Sequence, residues 1–495
     1  MDVVIKNPIK AVIKYLSSEE VQKLTKSLSY TNTSVSFQLS KLYKNRWMKQ
    51  KDPIGWQEKV DELTKKSKGC LLEHDGRDYW IRPGSIPHVH KYITSVSNEI
   101  EYPEFTPLRW KTPPDFEPFG YQSESVRLLM SEKHGNVSLP TGCGKSFILL
   151  LLAQKMGLDT VVITPSQSIF TELLSEFQLR LGTKLVGGYG DGYKDINNKI
   201  TIAIGKSLTM LKEGTKEYEF FRKKKVILVD ESHTFAAEQL NDVCHGVLSE
   251  TPYRMFVSAT QTRNDGTEKL LSSIIGNNVL DMSLGDAIAQ GYLCPLKFTV
   301  MATTSPINKV VRDPTMCKRT HFLYNRNIAE IIAKIANGSW EHRQQSTLVL
   351  VEELEQIEML QKLLKVPFAY VHSADKKKAK EFNLEKVNLQ ESVRKFNTGE
   401  VKVLIGTKAI ATGTNLYPVH NTCNWMGGSS EIVTKQGPMG RSTRRLEISK
   451  YKDFHTPKPY AMIYDFRVKG EDLLDKQLVK RCKFYQESNG DIKYY

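Results

Sequence analysis

The sequence lacks long apolar stretches and an ordered set of cysteines, and each absence excludes a class of protein. Among its 495 residues the longest apolar run is Phe147 to Ala153, whereas a membrane-spanning helix needs about 20 apolar residues. The N-terminus shows neither the basic start nor the apolar segment of a secretory signal. The seven cysteines are scattered and contain no CxxC pair, so we predict neither disulfides nor a zinc site and expect a reducing, cytoplasmic location.

Basic residues exceed acidic ones, but the excess is uneven along the chain. Lys and Arg number 70 and Asp and Glu number 55, a net charge of +15. Residues 1–116 carry +5 and residues 301–450 carry +9, while residues 117–300 carry −1. Because phosphate tracks are lined by local clusters of basic side chains, this distribution favours a polyanionic partner that contacts the first and third segments.

The pattern of elements divides the chain into four parts. Residues 1–115 mix short helical and strand patterns, and five prolines crowd positions 103–118, a composition typical of a linker. Strand–helix alternation follows in two blocks, 116–300 and 301–470. Their short, continuous apolar strands predict two α/β domains with parallel sheets covered by helices. We expect residues 471–495 to form a helical tail.

Several local elements are predicted in the N-terminal part. Residues 8–16 have the pattern of a short helix that Asn7 would cap. Ser17 and Glu20 have the spacing of a capping box that opens a second helix. Residues 71–82 alternate around an Asp75-Gly76 turn, which predicts a hairpin.

Residues 139–146 read Leu-Pro-Thr-Gly-Cys-Gly-Lys-Ser and end like a phosphate-binding loop. Lys145 is expected to pair with the β- and γ-phosphates of a nucleotide, and Ser146 to ligate Mg²⁺. Leu139 stands where the general pattern has its first glycine. The backbone of the loop is expected to cradle the phosphates through Thr141, Gly142, Cys143 and Gly144.

A carboxylate pair supports this interpretation. The apolar residues 226–229 predict a strand that delivers Asp230 and Glu231 at its end. Asp230 would hold Mg²⁺, and Glu231 would orient the attacking water.

Taken together, these residues resemble the superfamily 2 helicases of the DExH type, which implies two tandem RecA-like lobes that bind ATP and Mg²⁺. The resemblance covers residues 117–470. Further motifs stand in the family's order. On the first lobe they imply adenine recognition by Tyr121 and Gln122. They imply nucleic-acid contact by Thr164, Pro165 and Gly205. They also imply that His233, Ser258 and Thr260 couple hydrolysis to strand movement.

The second block carries the remaining motifs. Residues 347–352 resemble motif IV, and residues 406–415 resemble motif V, with Thr407, Lys408 and Gly413 at its functional positions. Motif VI is 436–445, in which Arg441 and Arg444 would act as arginine fingers on the γ-phosphate. Three residues rather than two separate Gln436 from Gly440, so the role of Gln436 stays open.

The branch of the superfamily is indicated by three stretches, Asp-Glu-Ser-His at 230–233, residues 258–266 and residues 291–295. They resemble the branch of the repair helicase XPB, the type III restriction translocases and the phage UvsW-like recombination helicases. The resemblance implies forked or junction DNA as substrate, single-stranded-DNA-binding or recombination proteins as partners, and the host cytoplasm as location if a phage encodes the chain. Alternatives are an RNA helicase and an ATP-gated remodeller that does not separate strands.

Basic clusters outside the motifs each allow two interpretations. Residues 376–380 follow His372 and a predicted strand, so they either track DNA phosphates or form a solvated face. Residues 222–225 are expected to be solvated. Residues 41–49 interleave lysines with Trp47, which suits DNA contact by the N-terminal accessory domain as well as it suits an ordinary surface helix.

Overall fold

The computed structural model describes residues 1–235, 237–259, 266–308, 310–372, 374, 376–385, 387–407, 410, 414–488 and 490–495. These residues pack into two compact units. The first is Met1–Leu139 with Gly144–Asp281, and the second is Pro140–Cys143 with Met282–Tyr495. Among the described residues no helix combines the length and the apolar character needed to cross a lipid bilayer.

The N-terminal part is a small α+β domain within the first unit. Its sheet has the order β5-β6-β2-β1-β7, and β3 pairs with β4 in a separate ribbon. The strands are β1 Asp2–Asn7, β2 Lys10–Lys14, β3 Ser29–Thr31, β4 Lys68–Cys70, β5 Glu73–His74, β6 Tyr79–Ile81 and β7 Ser95–Asn98. The helices are Ser18–Leu28, Thr33–Lys44, Arg46–Lys51, Pro53–Ser67 and Ile86–Val89.

The predicted helix at residues 8–16 is wrong, because this stretch is strand β2 of a hairpin with β1. The Asn7 side chain accepts a hydrogen bond from the Ile9 amide at 3.0 Å and so shapes a tight turn instead of a helix cap. The other two local predictions are confirmed. Ser17 and Glu20 form a capping box, and β5 and β6 pair around a turn in which Gly76 has φ +93°.

The proline-rich segment between β7 and the helix at Gly120 is an ordered strap along the first lobe. The amides of Thr106 and Leu108 donate to the carbonyls of Met156 and Gln154, at 2.9 and 2.8 Å. The amide of Lys111 donates to the Arg180 carbonyl at 2.8 Å. Proline has no amide proton, so the residues between the prolines supply the donors.

The first lobe is built on a sheet of the order β11-β10-β12-β9-β13-β14-β8-β15, parallel except for the β10–β11 pair. The strands are β8 His134–Ser138, β9 Thr160–Thr164, β10 Val186–Gly190, β11 Tyr193–Lys194, β12 Ile200–Ile204, β13 Val226–Val229, β14 Tyr253–Ser258 and β15 Asn277–Asp281. The helices are Gly120–Glu132, Lys145–Met156, Gln167–Leu181, Gly205–Thr209, Lys216–Arg222, Ala237–Asp242 and Glu268–Ile275.

The N-terminal domain is fastened to this lobe through the helix Glu268–Ile275. Lys269 Nζ donates to the carbonyls of Ser27 and Ser29 at 2.7 and 2.9 Å. His88 Nε2 and Ser272 Oγ lie 2.6 Å apart. One hydrophobic core contains residues of both parts, so the N-terminal domain and the first lobe form one packed body.

Lys224 corrects the expectation of a solvated cluster at 222–225. Its side chain is buried, and Nζ donates to the carbonyls of Asn198 and Lys199 at 3.2 and 3.3 Å. Burial lowers the pKa of this lysine to about 7. The Lys224 side chain is therefore engaged inside the first lobe, just before strand β13, and is not available to phosphates.

The second lobe has a parallel sheet of the order β18-β19-β17-β20-β21-β16-β22. The strands are β16 Leu296–Thr304, β17 Thr347–Val351, β18 Phe368–Val371, β19 Val403–Gly406, β20 Asn421–Trp425, β21 Ala461–Lys469 and β22 Ile492–Tyr494. The helices are Leu284–Ala289, Pro314–Cys317, Arg326–Arg343, Leu354–Gln361, Lys376–Lys380, Leu389–Asn397, Glu431–Thr434, Gly440–Ser442 and Asp472–Glu487. The predicted fold, two parallel-sheet lobes preceded by a small α+β domain, is confirmed.

Two boundaries differ from the prediction. Residues 282–300, expected to close the first lobe, pack with the second unit, because β16 pairs along its length with β21. The tail is not purely helical, since strand β22 extends the sheet by pairing with β16.

A buried ion pair ties the tail helix to the second sheet. The two oxygens of Asp465 accept from Arg481 Nε and Nη2 at 2.7 and 2.8 Å. Tyr485 Oη donates to the same carboxylate at 2.7 Å, and both charged side chains are at most 2% exposed. Removing one partner of a bidentate, fully buried ion pair of this kind strongly destabilises the fold.

Replacing Asp465 by Asn should therefore destabilise the second lobe by about 3–5 kcal/mol, because the Arg481 charge stays buried without its counter-ion. Urea-induced unfolding followed by circular dichroism measures the change. The matched control is Arg467→Ala, which removes a half-exposed pair with Asp475 and should cost about 0–1 kcal/mol. Equal losses of stability for the two variants would contradict the role given to the buried pair.

Candidate active site

The phosphate loop lies between strand β8 and the helix Lys145–Met156. Gly142 and Gly144 have φ +98° and +68°, a left-handed backbone that glycine adopts without strain. These two turns direct the chain into the N-terminus of a 12-residue helix, where unpaired amides favour an anion. The loop thus has the backbone of an anion cradle even though Leu139 occupies the first glycine position.

Lys145 is held at the loop by two groups of the first lobe. Its side chain is 7% exposed, Nζ donates to the Leu139 carbonyl at 3.3 Å, and it lies 3.3 Å from Glu231 Oε1. The structure therefore brings the loop lysine and the strand-end glutamate, 86 residues apart in the chain, into one ion pair.

The two carboxylates follow strand β13 directly. Asp230 is 4% exposed, and its Oδ1 has no hydrogen-bond partner among the described residues. Burial and the adjacent Glu231 raise the pKa of Asp230 against the opposing effect of Lys145. A divalent cation would favour the ionised form and satisfy this oxygen, so the donor set fits the Mg²⁺ expected between Asp230 and Ser146.

Glu231 has an unusual backbone and lies at the centre of a polar network. Its φ of +48° is uncommon for a non-glycine residue and marks a site where the surroundings determine the backbone. Glu231 Oε2 is 3.4 Å from His233 Nδ1, and the same His233 nitrogen is 2.8 Å from Ser258 Oγ. Lys145, Glu231, His233 and Ser258 therefore form a continuous chain of contacts.

Gln122 lies next to the phosphate loop. It is 4% exposed, and its Oε1 accepts from the Phe119 amide at 3.0 Å. A Cβ atom on Gly144 would lie 2.6 Å from Gln122 Nε2, so the amide end of Gln122 reaches the loop. Phe119 and Tyr121 stack with ring centroids 5.9 Å apart. The structure thus places the predicted adenine-recognition segment beside the predicted phosphate cradle.

Two further predicted residues of the first lobe have structural partners. Gly205 begins a helix at the end of β12, and a Cβ atom there would meet the Phe235 ring at 2.4 Å. Thr164 ends β9, is buried, and donates to the Ser166 carbonyl at 3.4 Å, with Pro165 between them. Gly205 is thus required by packing next to the carboxylate motif, a role its sequence motif did not reveal.

Motif VI contains a π turn. Residues Lys435–Met439 form a π-helix, and the Gly440 amide donates back to the Lys435 carbonyl, five residues earlier. A π turn holds one residue more than an α turn, so it accommodates the extra residue between Gln436 and Gly440. The Gln436 side chain lies outside what the structure describes.

The three arginines of motif VI have different surroundings. Arg441 is 4% exposed and its Nη1 donates to the Thr414 carbonyl. Arg444 is half-buried over the ring of Tyr417, at 5.7 Å from its centroid, and its buried Nε has no hydrogen-bond partner among the described residues. Arg445 Nη1 donates to the Gly291 carbonyl at 2.8 Å. The Nε–H of Arg444 thus remains able to donate a hydrogen bond, whereas Arg445 already donates to a nearby carbonyl.

Lys458 is a residue that sequence reasoning missed. It is 1% exposed, and Nζ donates to the carbonyls of Arg444 and Tyr417 at 2.7 and 3.3 Å. Burial lowers the pKa of this lysine to about 8. Lys458 clamps motif VI to the segment that follows motif V, and no spacing in the sequence signals it.

The motif V region is partly described. Thr407 follows β19, and its buried Oγ1 lacks a hydrogen-bond partner among the described residues. His372 follows the neighbouring β18, stacks on Tyr370 with centroids 6.1 Å apart, and has Nε2 at 3.1 Å from the Glu385 carbonyl. Thr260, Lys408 and Gly413 were also predicted, and they lie outside the described residues.

Comparison with family models identifies two domains. The model "Type III restriction enzyme, res subunit" matches residues 115–263, and the model "Helicase conserved C-terminal domain" matches residues 326–444. The first match contains the phosphate loop and the carboxylate pair, and the second ends at Arg444.

Relatives and solved structures agree with these domains. The chain is 23% identical to the DNA 3'-5' translocase XPB2 of Sulfurisphaera tokodaii over 78% of this chain and 89% of that protein. The fold is similar to S. cerevisiae Dbp5 bound to RNA and ADP BeF3, with a TM-score of 0.52, 13% identity, and coverage of 77% and 90%. The structure of UvsW from bacteriophage T4 covers 100% of this chain and 99% of its own at 14% identity, with a TM-score of 0.44 that supports no functional inference.

The phosphate loop, the paired carboxylates and the arginine motif thus lie within two matched helicase domains in the expected order. The chain resembles the superfamily 2 helicases, and its two matched domains indicate an NTP-hydrolysing enzyme of the helicase or translocase type.

Proposed function

We propose that the protein is an ATP-dependent DNA helicase or translocase that unwinds or branch-migrates forked and junction DNA, in phage recombination, repair or replication. The main support is the chain of polar contacts from Lys145 through Glu231 and His233 to Ser258. It joins the nucleotide-binding residues to the motif that, in the resembling family, couples hydrolysis to strand movement.

The first lobe would carry out hydrolysis with its own side chains. Lys145 exchanges its contact with Glu231 for a phosphate oxygen, and Glu231 then orients the attacking water. Asp230 and Ser146 would hold Mg²⁺, which when bound neutralises charge on the phosphates. Tyr121 and Gln122 would position the adenine.

The second lobe would supply cationic stabilisation of the transferring phosphoryl group. We assign this role to Arg444, because its guanidinium lies over the Tyr417 ring, whereas Arg441 Nη1 donates to a carbonyl. Arg441 is fastened to the Thr414 carbonyl, which suits a residue that positions the motif as well as one that contacts phosphate.

DNA binding is assigned in part to a basic–aromatic surface on the N-terminal domain, formed by Phe37, Lys41, Trp47, Lys51 and Ile54. Phe37, Trp47 and Ile54 are 60%, 67% and 75% exposed. Lys41 Nζ lies 4.5 Å above the Phe37 ring and Lys51 Nζ lies 4.7 Å above the Trp47 ring.

Residues 41–51 contain five basic and no acidic side chains. Exposed rings interleaved with lysines suit unpaired bases and phosphates, which occur together at a fork. The name of the XPB2 relative favours DNA over RNA. Because Lys269 and Ser272 fasten the N-terminal domain to the helix that follows motif III, a strand gripped here would be held by the body that contains the hydrolysis residues.

The coupling chain predicts that His233 and Ser258 act as a unit. His233→Ala and Ser258→Ala should each lower DNA-stimulated strand displacement more than DNA-independent ATP hydrolysis, and the double variant should be no worse than either single one. Lys145→Ala is the reference for complete loss of hydrolysis. Additive effects of the two single changes would contradict a shared path.

Arg444 and Arg445 give a matched pair. Arg444→Ala should reduce ATP turnover by about 10²–10³-fold with little change in ATP affinity, because it removes a charge needed in the transition state. Arg445→Ala should leave turnover nearly unchanged, since this side chain donates to Gly291. The ATPase kcat and the Kd for a nucleotide analogue are measured for both variants, and a reversed order would move the finger role to Arg445.

The substrate is tested with a panel of forked DNA, a four-way junction, linear duplex and an RNA hybrid. Strand separation and stimulation of hydrolysis should be largest for the fork or junction. Greatest activity on the RNA hybrid would replace the proposal by an RNA helicase. Hydrolysis without strand separation on any substrate would replace it by a remodeller.

The N-terminal surface is tested with Trp47→Ala combined with Lys51→Ala. DNA affinity should fall, and the slope of log affinity against log salt should shrink by about 0.7–0.9 for each phosphate that the variant no longer neutralises. Tyr15→Ala is the control, because it removes an 87% exposed ring from the same domain outside the surface. Equal DNA binding by the two variants would contradict the assignment, whereas ATPase without DNA should be unchanged in both.

A further inference from the structure

A cluster of potential metal ligands lies in the second lobe. Cys317, His321 and Glu471 each offer a ligand atom, and these atoms lie within 4.8 Å of one another. Cys317 Sγ is 3.6 Å from Glu471 Oε2, and His321 Nδ1 is 3.6 Å from Glu471 Oε1. We propose that these three side chains form a structural zinc site.

The distances fit tetrahedral coordination. With Zn–S of about 2.3 Å and Zn–N and Zn–O of about 2.0–2.1 Å, neighbouring ligand atoms in a tetrahedron lie about 3.3–3.6 Å apart. Both measured separations from Glu471 are 3.6 Å, but they involve different oxygens, so the carboxylate would have to turn one oxygen toward both partners or use both oxygens to bind the ion. Ser305 Oγ lies at hydrogen-bond distance from His321 Nδ1, 2.7 Å, and this hydroxyl or a water would have to supply the fourth ligand.

Burial and charge also suit a zinc ion. Cys317 is 2% exposed and His321 is fully buried. Glu471 has no Lys or Arg partner among the described residues, and Lys318 and Arg319, which follow Cys317 in the chain, pair with Glu352 and Glu353. A thiolate and a carboxylate together carry two negative charges, which Zn²⁺ would neutralise in this enclosed position.

The Cys317 and His321 side chains both face Glu471, and His321 Nδ1 also contacts Ser305 Oγ. Glu471 stands at the N-cap position of the helix Asp472–Glu487, yet its side chain makes no capping hydrogen bond. His321 Nε2 has no hydrogen-bond partner among the described residues, so the hydrogen bonds of this ring are made on its Nδ1 side. Cys317 and His321 are four residues apart at the start of a π-helical segment, Lys318–Leu323.

The site would join two distant parts of the lobe. It links the helical segment 314–323 to the turn between β21 and the tail helix. Cys317 and Glu471 are 154 residues apart in the chain, so an ion held between them stabilises the folded lobe over the unfolded chain. Its expected contribution is to stability and not to ATP chemistry.

The test is titration of the metal-free full-length protein with Co²⁺, followed by Zn²⁺. One Co²⁺ per chain should bind with a thiolate-to-cobalt charge-transfer band, and Zn²⁺ should remove that band and raise Tm. Cys317→Ser should abolish the band. Glu471→Gln keeps the shape of a half-buried side chain and should weaken Co²⁺ binding by about 10–100-fold or more, since even indirect partners of a metal contribute this much.

Cys482→Ser is the matched control, because Cys482 is another buried cysteine of the same lobe on the tail helix, and its band should equal that of the unsubstituted protein. Absence of stoichiometric binding, a band that persists in Cys317→Ser, or equal Tm gains on Zn²⁺ addition in Glu471→Gln and the unsubstituted protein would each overturn the proposal.

Discussion

The first lobe depends on one electrostatic constraint, which is that two carboxylates lie together at the end of one buried strand. Asp230 is buried beside Glu231, so burial and the neighbouring carboxylate both raise the pKa of Asp230. Lys145 supplies the nearest opposite charge, at 3.3 Å from Glu231. The left-handed turns of the phosphate loop and the strained backbone of Glu231 both serve to place these charges together.

The same constraint explains why further polar residues are buried around the site. His233 and Ser258 extend the network away from Glu231 without exposing it to solvent. In the second lobe, Lys458 and the Asp465–Arg481 pair play a comparable part, because each enclosed charge has partners that fix the backbone near motif VI or the tail helix. Because an unpaired buried charge is costly, each buried charge favours the one arrangement of its lobe in which its partners are in place.

Much of the architecture was predictable from local patterns. The apolar runs at 226–229, 347–351 and 368–371 coincide with β13, β17 and β18, because continuous apolar strands are typical of a covered parallel sheet. The helix predicted at 8–16 failed because the Asn7 turn and pairing with β1 override a helical pattern of nine residues. The prediction that Lys224 is solvated was wrong for a different reason. In sequence, a lysine that donates to two carbonyls inside the fold looks like any surface lysine.

The sequence by itself determined the order of the motifs along the chain and predicted the chemistry of the site, because the phosphate loop and the carboxylate pair are short motifs of adjacent residues. Only the tertiary structure decided which side chains meet across long separations. The strap along the first lobe, the Tyr417 ring beneath Arg444, the Lys458 clamp and the meeting of Cys317, His321 and Glu471 all depend on packing between remote segments. Such contacts leave no periodic signal, since the order of strands in the sheets, and not spacing in the sequence, brings these residues together.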